Sequence, residues 1–111
     1  MAFHREYAAI EPARAELDRS PGAVLLEFGA PWCPICRAAQ PPIASALEEH
    51  AEVRHVKVED GKGRPLGRSF GVKLWPTLIA LRDGREIGRA VRPQNRQVIA
   101  KLLQDLAASQ S

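Results

Sequence analysis

Hydrophobic and polar positions divide the N-terminal half of the chain into two apolar runs separated by an amphipathic segment. Residues 23–28 form an apolar run that contains one acid, Glu27, and this pattern predicts a central strand covered on both faces. From Pro34 to about His50, apolar residues recur at helical spacing, which predicts a helix that packs one stripe on a sheet. Residues 53–58 predict the next strand, parallel to the first through a βαβ crossover.

The C-terminal half has a pattern typical of a hairpin followed by a helix. Residues 77–81 and 86–91 predict two antiparallel strands, because Asp83-Gly84 between them favours a tight hairpin turn. Asn95 is predicted to cap a last helix with one apolar stripe. No repeat, low-complexity segment or linker interrupts the chain.

The remaining segments predict smaller elements. Pro12 suits the first turn of a short helix that runs to about Asp18, and a helical turn is predicted near residues 66–70. Phe3 and Tyr7 are interpreted as part of a short first strand. With 111 residues, the chain is expected to form a single domain over residues 1–111.

Composition narrows the classes of function. Hydrophobic residues make up 45% and charged residues 26%, as in an ordinary globular protein. The net charge is +3, but 16 basic residues are interleaved with 13 acidic ones, so nothing favours nucleic-acid binding. The first residues are charged, with no apolar stretch that would serve as a signal or a membrane span, and we therefore expect a cytoplasmic protein with no membrane partner.

The chain has only two cysteines, Cys33 and Cys36, at the start of the predicted helix. Residues at this spacing share one helix face, so the two thiols can close a small disulfide. At a helix N-terminus, unpaired amides favour a thiolate, which is the attacking form of sulfur, and Cys33 is therefore the candidate nucleophile. A zinc half-site is the alternative, but it needs two more ligands, and no histidine has a suitable spacing.

Residues 27–37 resemble the active-site segment of the thioredoxin family, with Trp32 directly before the CxxC and Pro41 further along the helix. Residues 74–77 are similar to that family's cis-proline loop. The resemblance extends from about residue 8 to about residue 107. It implies a thioredoxin fold, a three-layer α/β/α architecture with a central mixed sheet of four to five strands.

The resemblance also implies roles for the catalytic residues. Cys33, expected at the exposed tip of the helix, attacks a substrate disulfide, and Cys36, expected to be the more buried thiol, resolves the mixed disulfide. Glu27 stands where the family usually has an Asp that relays a proton to or from the resolving cysteine. Lys57 falls where the family has a Lys beside that acid. The alternatives are a Glu27 that faces solvent or pairs with Lys57, and a Lys57 that is a plain surface lysine.

A substrate groove is implied around the disulfide. Pro76 is interpreted as the cis-proline, which would expose the backbone of Trp75 for pairing with an extended substrate, whereas a trans turn proline is the alternative. Gly29 stands where the family commonly has Trp, and the residues between the cysteines differ from the family's Gly-Pro. The predicted substrate-binding residues are Trp32, Pro34, Ile35, Trp75, Pro76 and Arg92.

The sequence therefore predicts a thiol-disulfide oxidoreductase that cycles its own CxxC, with no bound cofactor and no metal. Its expected partners are protein disulfide substrates and, as electron donor, a reductase or glutathione, and we expect a monomer. One alternative is a binding or chaperone-like module that uses the redox state of the pair as a switch. A glutathione-dependent disulfide reductase is another.

Overall fold

The structure is a computed structural model that describes residues 2–109. Helices and strands alternate along the first half of the chain, and a hairpin and a long helix complete it. In chain order the elements are α1 (Arg14–Asp18), β1 (Ala23–Gly29), α2 (Pro34–Leu47), β2 (Arg54–Glu59), α3 (Pro65–Ser69), β3 (Thr77–Arg82), β4 (Arg85–Val91) and α4 (Arg96–Ala108).

The strands form one mixed sheet in the order β2-β1-β3-β4. Strand β1 runs parallel to β2 and antiparallel to β3, and β3 pairs with β4 in the predicted hairpin. Asp83 and Gly84 make the tight turn with φ angles of 52° and 80°, and Asn95 caps α4 by accepting a hydrogen bond from the Val98 amide. The mixed sheet and its connections confirm the predicted fold class.

Helices cover both faces of the sheet, which gives the expected three layers. Because β1 is central and successive side chains point to opposite faces, all seven of its residues are buried. On one face, α2 and α4 pack over β1, β3 and β4, with Leu25, Ile43 and Leu103 in this core. On the other face, α1 and α3 pack through Leu17 and Leu66. Glu27 shares the α2 face with Leu25.

The predicted strand near Phe3 and Tyr7 is wrong, and in residues 2–109 the sheet has four strands. The segment lies along β2 but makes one backbone hydrogen bond to it, from the Ala8 amide to the Lys57 carbonyl at 2.8 Å. The Phe3 ring stacks on the His55 ring at 5.2 Å, and Lys57 Nζ lies 4.5 Å from the centre of the Tyr7 ring. The segment therefore covers polar side chains of β2 instead of extending the sheet.

Candidate active site

The two cysteines lie at the start of α2, directly after the turn that follows β1. Cys33 is the N-cap residue, and its Sγ accepts a hydrogen bond from the Cys36 amide at 3.2 Å. Both sulfurs are buried: Cys33 is 7% exposed and Cys36 is 1% exposed. The expectation of an exposed Cys33 is wrong, because Cys33 belongs to a buried cluster with Ala30 and Cys36 against which Trp75 packs.

Cys36 is held as a thiol by its surroundings. Burial raises the pKa of Cys36 to about 12, and the hydrogen bond with Cys33 and the negative charge of Glu27 act in the same direction. The thiol therefore carries its proton near neutral pH and must lose it before the sulfur can attack a disulfide. The Cys33 sulfur, by contrast, accepts a hydrogen bond from a backbone amide.

Gly29 allows the Cys36 sulfur to lie against the end of β1. A Cβ at position 29 would lie 2.7 Å from Cys36 Sγ and 3.2 Å from the Tyr7 hydroxyl oxygen, so a larger residue does not fit there. A cavity of about 440 Å³ opens beside this point, with Tyr7, Cys36, Arg37 and Lys57 in its lining. Burial, Glu27 and the cysteines raise the pKa of Tyr7.

Glu27 is completely buried, which excludes the solvent-facing alternative. Its Oε1 is 2.8 Å from His55 Nε2, and its Oε2 accepts a hydrogen bond from Gln40 Nε2 at 2.8 Å. The same Gln40 nitrogen donates to the Cys36 carbonyl at 2.8 Å. The carboxyl group is thus connected through one amide to the main chain of the second cysteine.

Lys57 is also buried, so it is not a plain surface lysine. Its Nζ donates to Gln40 Oε1 at 2.8 Å and to the Arg5 carbonyl at 2.9 Å. Glu27 and Lys57 are register partners on β1 and β2, yet it is Gln40 that hydrogen-bonds to both side chains. Gln40 therefore links the two side chains, in place of the direct Glu27–Lys57 pair of the alternative interpretation.

Two tryptophans form a rim over the cysteines. Trp32 is 65% exposed, and its ring meets the Trp75 ring edge to face at a centroid distance of 5.6 Å. Trp75 Nε1 donates to Asp60 Oδ2 at 2.8 Å, which fixes the indole. The Trp75–Pro76 peptide bond is cis, as the resemblance implied.

The other predicted groove residues lie around this rim. Pro34 occupies the first turn of α2, and Ile35 in the same turn is half-exposed. Arg92 has a φ angle of 48°, and its Nε donates to the Trp75 carbonyl at 2.8 Å. Half-exposed Leu74 and Val91 extend the apolar surface. The structure thus brings the predicted substrate residues to one edge of the protein, beside the cysteines.

This geometry agrees with the comparison with known proteins. A sequence model described as Thioredoxin matches residues 11–105. The chain belongs to the thioredoxin family. Members of this family are protein-disulfide oxidoreductases that are reduced by a reductase, and this chain is a thiol-disulfide oxidoreductase.

Individual thioredoxins match over most of the chain. A thioredoxin from Chlamydia muridarum is 35% identical over 83 residues, which cover 74% of this chain and 80% of that protein. Thioredoxin Asp f 28 from Aspergillus fumigatus is 27% identical over 97% of this chain and 100% of its own length. The solved structure of reduced thioredoxin 2 from Pseudomonas aeruginosa PAO1 is 51% identical, with a TM-score of 0.86, over 97% of this chain and 100% of that chain.

Four residues of the site were missed by sequence reasoning: Tyr7, Gln40, His55 and Asp60. His55 lies two residues before Lys57 and therefore on the same strand face. Gln40 lies four residues after Cys36, one turn further along the same helix face. These two spacings could have indicated that His55 and Gln40 belong to the site, whereas no sequence pattern indicated the contacts of Tyr7 and Asp60.

Proposed function

We propose that Cys33 is the nucleophile and Cys36 the resolving thiol in the reduction of protein disulfides. The Cys33 thiolate attacks one sulfur of the substrate, so a mixed disulfide forms and the other substrate sulfur leaves as a thiolate. Cys36 then loses its proton and attacks Cys33, which forms the Cys33–Cys36 disulfide and releases the second substrate thiolate. The observation that carries this order is the asymmetry of the pair, with an amide donor on Cys33 and a proton retained on Cys36.

Glu27 is the proposed base for the second step. Its burial and its link through Gln40 to Cys36 support this assignment, as does its charge, which acts on the Cys36 thiol. A positioned base of this kind contributes roughly 10²- to 10⁴-fold to a rate. Lys57 is the proposed counter-charge, which keeps the buried network neutral through Gln40.

The apolar rim is the proposed docking surface for a protein substrate. Trp32, Ile35 and Leu74 expose apolar surface beside the cysteines, and apolar burial supplies most of the affinity at such surfaces. Three cations, Arg37, Lys73 and Arg92, are exposed, and each is a sequence neighbour of a residue of the site. Complementary charge mainly speeds encounter, so we expect a preference for acidic disulfide substrates that weakens with salt.

Two peptide disulfides that differ only in net charge test the charge preference. The acidic peptide should be reduced faster at low salt, and Arg92→Ala should narrow the difference. Equal rates for both peptides at low salt would contradict the charge preference but not the roles of the cysteines.

The proposed setting is the cytoplasm, where the chain works as a single-domain monomer in electron transport and cell redox homeostasis. A reducing compartment suits a CxxC pair that must return to two thiols after each cycle. A reductase or glutathione is the proposed electron donor. Assays of turnover with each donor in turn would identify it.

Single cysteine variants test the proposed roles. Cys33→Ser should abolish disulfide reduction, whereas Cys36→Ser should still attack and then accumulate mixed disulfides with its substrates, which non-reducing gels and mass spectrometry detect. A binding module would show substrate association in both variants and no turnover in the wild type. Mixed disulfides on Cys36 in the Cys33→Ser variant, with none on Cys33 in the Cys36→Ser variant, would reverse the assignment.

A further inference from the structure

We propose that His55 is a positioning residue for the resolving step, which holds one oxygen of Glu27 so that the other acts toward Cys36. This inference rests on the proposed roles of Glu27 and Cys36. His55 does not touch the reacting sulfurs, and its action on them is through Glu27 alone. Its side chain is fully buried, with 0% exposure, as is that of Glu27.

The hydrogen bonds around His55 assign its tautomer. The His4 amide donates to His55 Nδ1 at 2.8 Å, so Nδ1 is the acceptor nitrogen of the ring. The proton of the neutral ring is then on Nε2, which lies 2.8 Å from Glu27 Oε1. His55 is therefore a donor to the carboxyl group, and its second nitrogen is occupied by the main chain of the N-terminal segment.

The other oxygen of Glu27 is oriented in the same way. Lys57 can only donate, so the Gln40 oxygen faces Lys57 and the Gln40 nitrogen faces Glu27 Oε2. Both carboxyl oxygens thus accept a hydrogen bond, which is the pattern of an ionised, acceptor-only carboxylate. Oε2 is the oxygen on the side of α2 and Cys36, since Gln40 also donates to the Cys36 carbonyl.

The arrangement explains how a glutamate serves where the family usually has the shorter aspartate. The additional methylene gives the carboxyl group more rotational freedom, which costs precision in a base that must face one sulfur. His55 removes this freedom by fixing Oε1. Phe3, stacked on the ring at 5.2 Å, holds the imidazole in turn.

The proton balance of the step is simple. As Cys36 attacks the mixed disulfide, its proton passes to Glu27 Oε2, while His55 keeps its own proton and its bond to Oε1. The substrate thiolate that leaves Cys33 takes up a proton from solvent or from Glu27. His55 therefore ends the step in the state in which it began.

The first test is the nitrogen-15 spectrum of the histidine rings in the reduced wild-type protein near neutral pH. We expect a neutral His55 ring with its proton on Nε2, coupled across a hydrogen bond to a carboxylate. A ring protonated on Nδ1, or on both nitrogens, would overturn the proposal. This measurement needs no variant and does not depend on how a variant folds.

The second test separates the two chemical steps in variants of His55. His55→Leu should slow resolution of a preformed mixed disulfide by about tenfold, a fraction of what a complete base contributes, and change the initial attack by less than about threefold. His55→Gln, which keeps a donor nitrogen, should recover most of the lost rate. His50→Gln is the matched control, since His50 follows α2 and contacts Glu52 instead of Glu27.

Several outcomes would contradict the positioning role. These are equal slowing of both steps by His55→Leu, no slowing at all, or a Gln variant as slow as the Leu variant. In addition, Glu27→Gln combined with His55→Leu should be no slower than Glu27→Gln alone, because the two residues act as one unit. If the expected rates of the His55 variants are not observed while Cys36→Ser still traps mixed disulfides, the result contradicts the role of His55 but not the proposed roles of the cysteines.

Discussion

The two faces of β1 are built on different physical principles, although both are completely buried. Toward α1 and α3, the strand presents only apolar side chains: Val24, Leu26 and Phe28. Toward α2, the strand presents Ala23 and Leu25 in the apolar core and then Glu27, within a chain of hydrogen bonds. One strand thus combines a face that stabilises the fold with a face that carries chemistry.

The comparison shows what each kind of burial requires. An apolar face requires side chains that fill the available volume, and apolar side chains of similar size can replace one another there at low cost in stability. The polar face tolerates no such exchange, because every buried donor and acceptor needs its own partner. Within residues 2–109, no buried side-chain nitrogen or oxygen is without a hydrogen-bond partner. The polar network therefore places its groups with a specificity that packing alone does not give.

The largest expected effect comes from a cavity in the apolar face. Phe28 is fully buried and packs against Phe70 at a ring distance of 5.9 Å. Phe28→Ala should lower the free energy of unfolding by about 3–5 kcal/mol, measured by denaturant titration. The fraction that remains folded should keep the order of reactivity of the cysteines. A loss below about 1 kcal/mol would show that this face is not the main stabilising core.

Removal of the carboxylate tests the opposite face. Glu27→Gln keeps the shape of the side chain but not the base, so the resolving step should slow by about 10²-fold, equivalent to about 2.7 kcal/mol. The initial attack by Cys33 should change much less. Rapid mixing with a disulfide peptide separates the two phases. Unchanged resolution over a broad pH range would leave Glu27 with a structural role only.

Loss of the buried cation should affect stability more than loss of an exposed one. Lys57→Met leaves Gln40 Oε1 and the Arg5 carbonyl without their donor, and we expect a loss of about 1–3 kcal/mol of unfolding free energy. Lys101→Met is the matched control, because Lys101 is 69% exposed in its pair with Asp105. The control should change stability by less than about 0.5 kcal/mol. Equal losses of unfolding free energy in the two variants would show that burial of the lysine does not decide its contribution to stability.

The last effect is confined to the alkaline range, where the stability of the reduced protein depends on pH. The pKa of Cys36 rises from an ordinary 9.0 to about 12 on folding, so the folded state binds this proton more tightly than the unfolded state. The contribution of this proton to the stability of the folded state is present below pH 9.0 and is lost as the pH rises toward about 12. Cys36→Ala should therefore reduce the loss of unfolding free energy that the reduced wild-type protein shows between pH 9.0 and about 12. The same decline in both proteins would exclude Cys36 as its cause.

The apolar face of β1 and most of the fold were predictable from the sequence. The run at residues 23–28, the Asp83-Gly84 turn and the Asn95 cap are local signals, and each produced the expected element. The exception is the segment around Phe3 and Tyr7, where aromatic residues resemble a strand. Their rings pack on side chains of β2, and this tertiary contact has no signature in a local pattern.

The polar face was predictable only in part. Glu27 was recognisable as an acid inside an apolar run, and Lys57 as its neighbour by resemblance. The hydrogen bonds around these two residues were not predictable. They depend on Gln40 from a helix and His55 from a strand, which both contact the Glu27 carboxyl group. The burial of Cys33 was also missed, since the covering Trp75 comes from a distant loop. Contacts between elements far apart in sequence decide these features.

Selective alkylation of the reduced wild-type protein tests the central claim most directly. A limiting amount of an alkylating reagent is added near neutral pH, and peptide mass spectrometry gives the modification rate of each cysteine. The account predicts that Cys33 reacts first and that Cys36, which is buried and protonated, reacts at a comparable rate only after unfolding. Faster modification of Cys36 in the folded protein would contradict the assignment of nucleophile and resolving thiol.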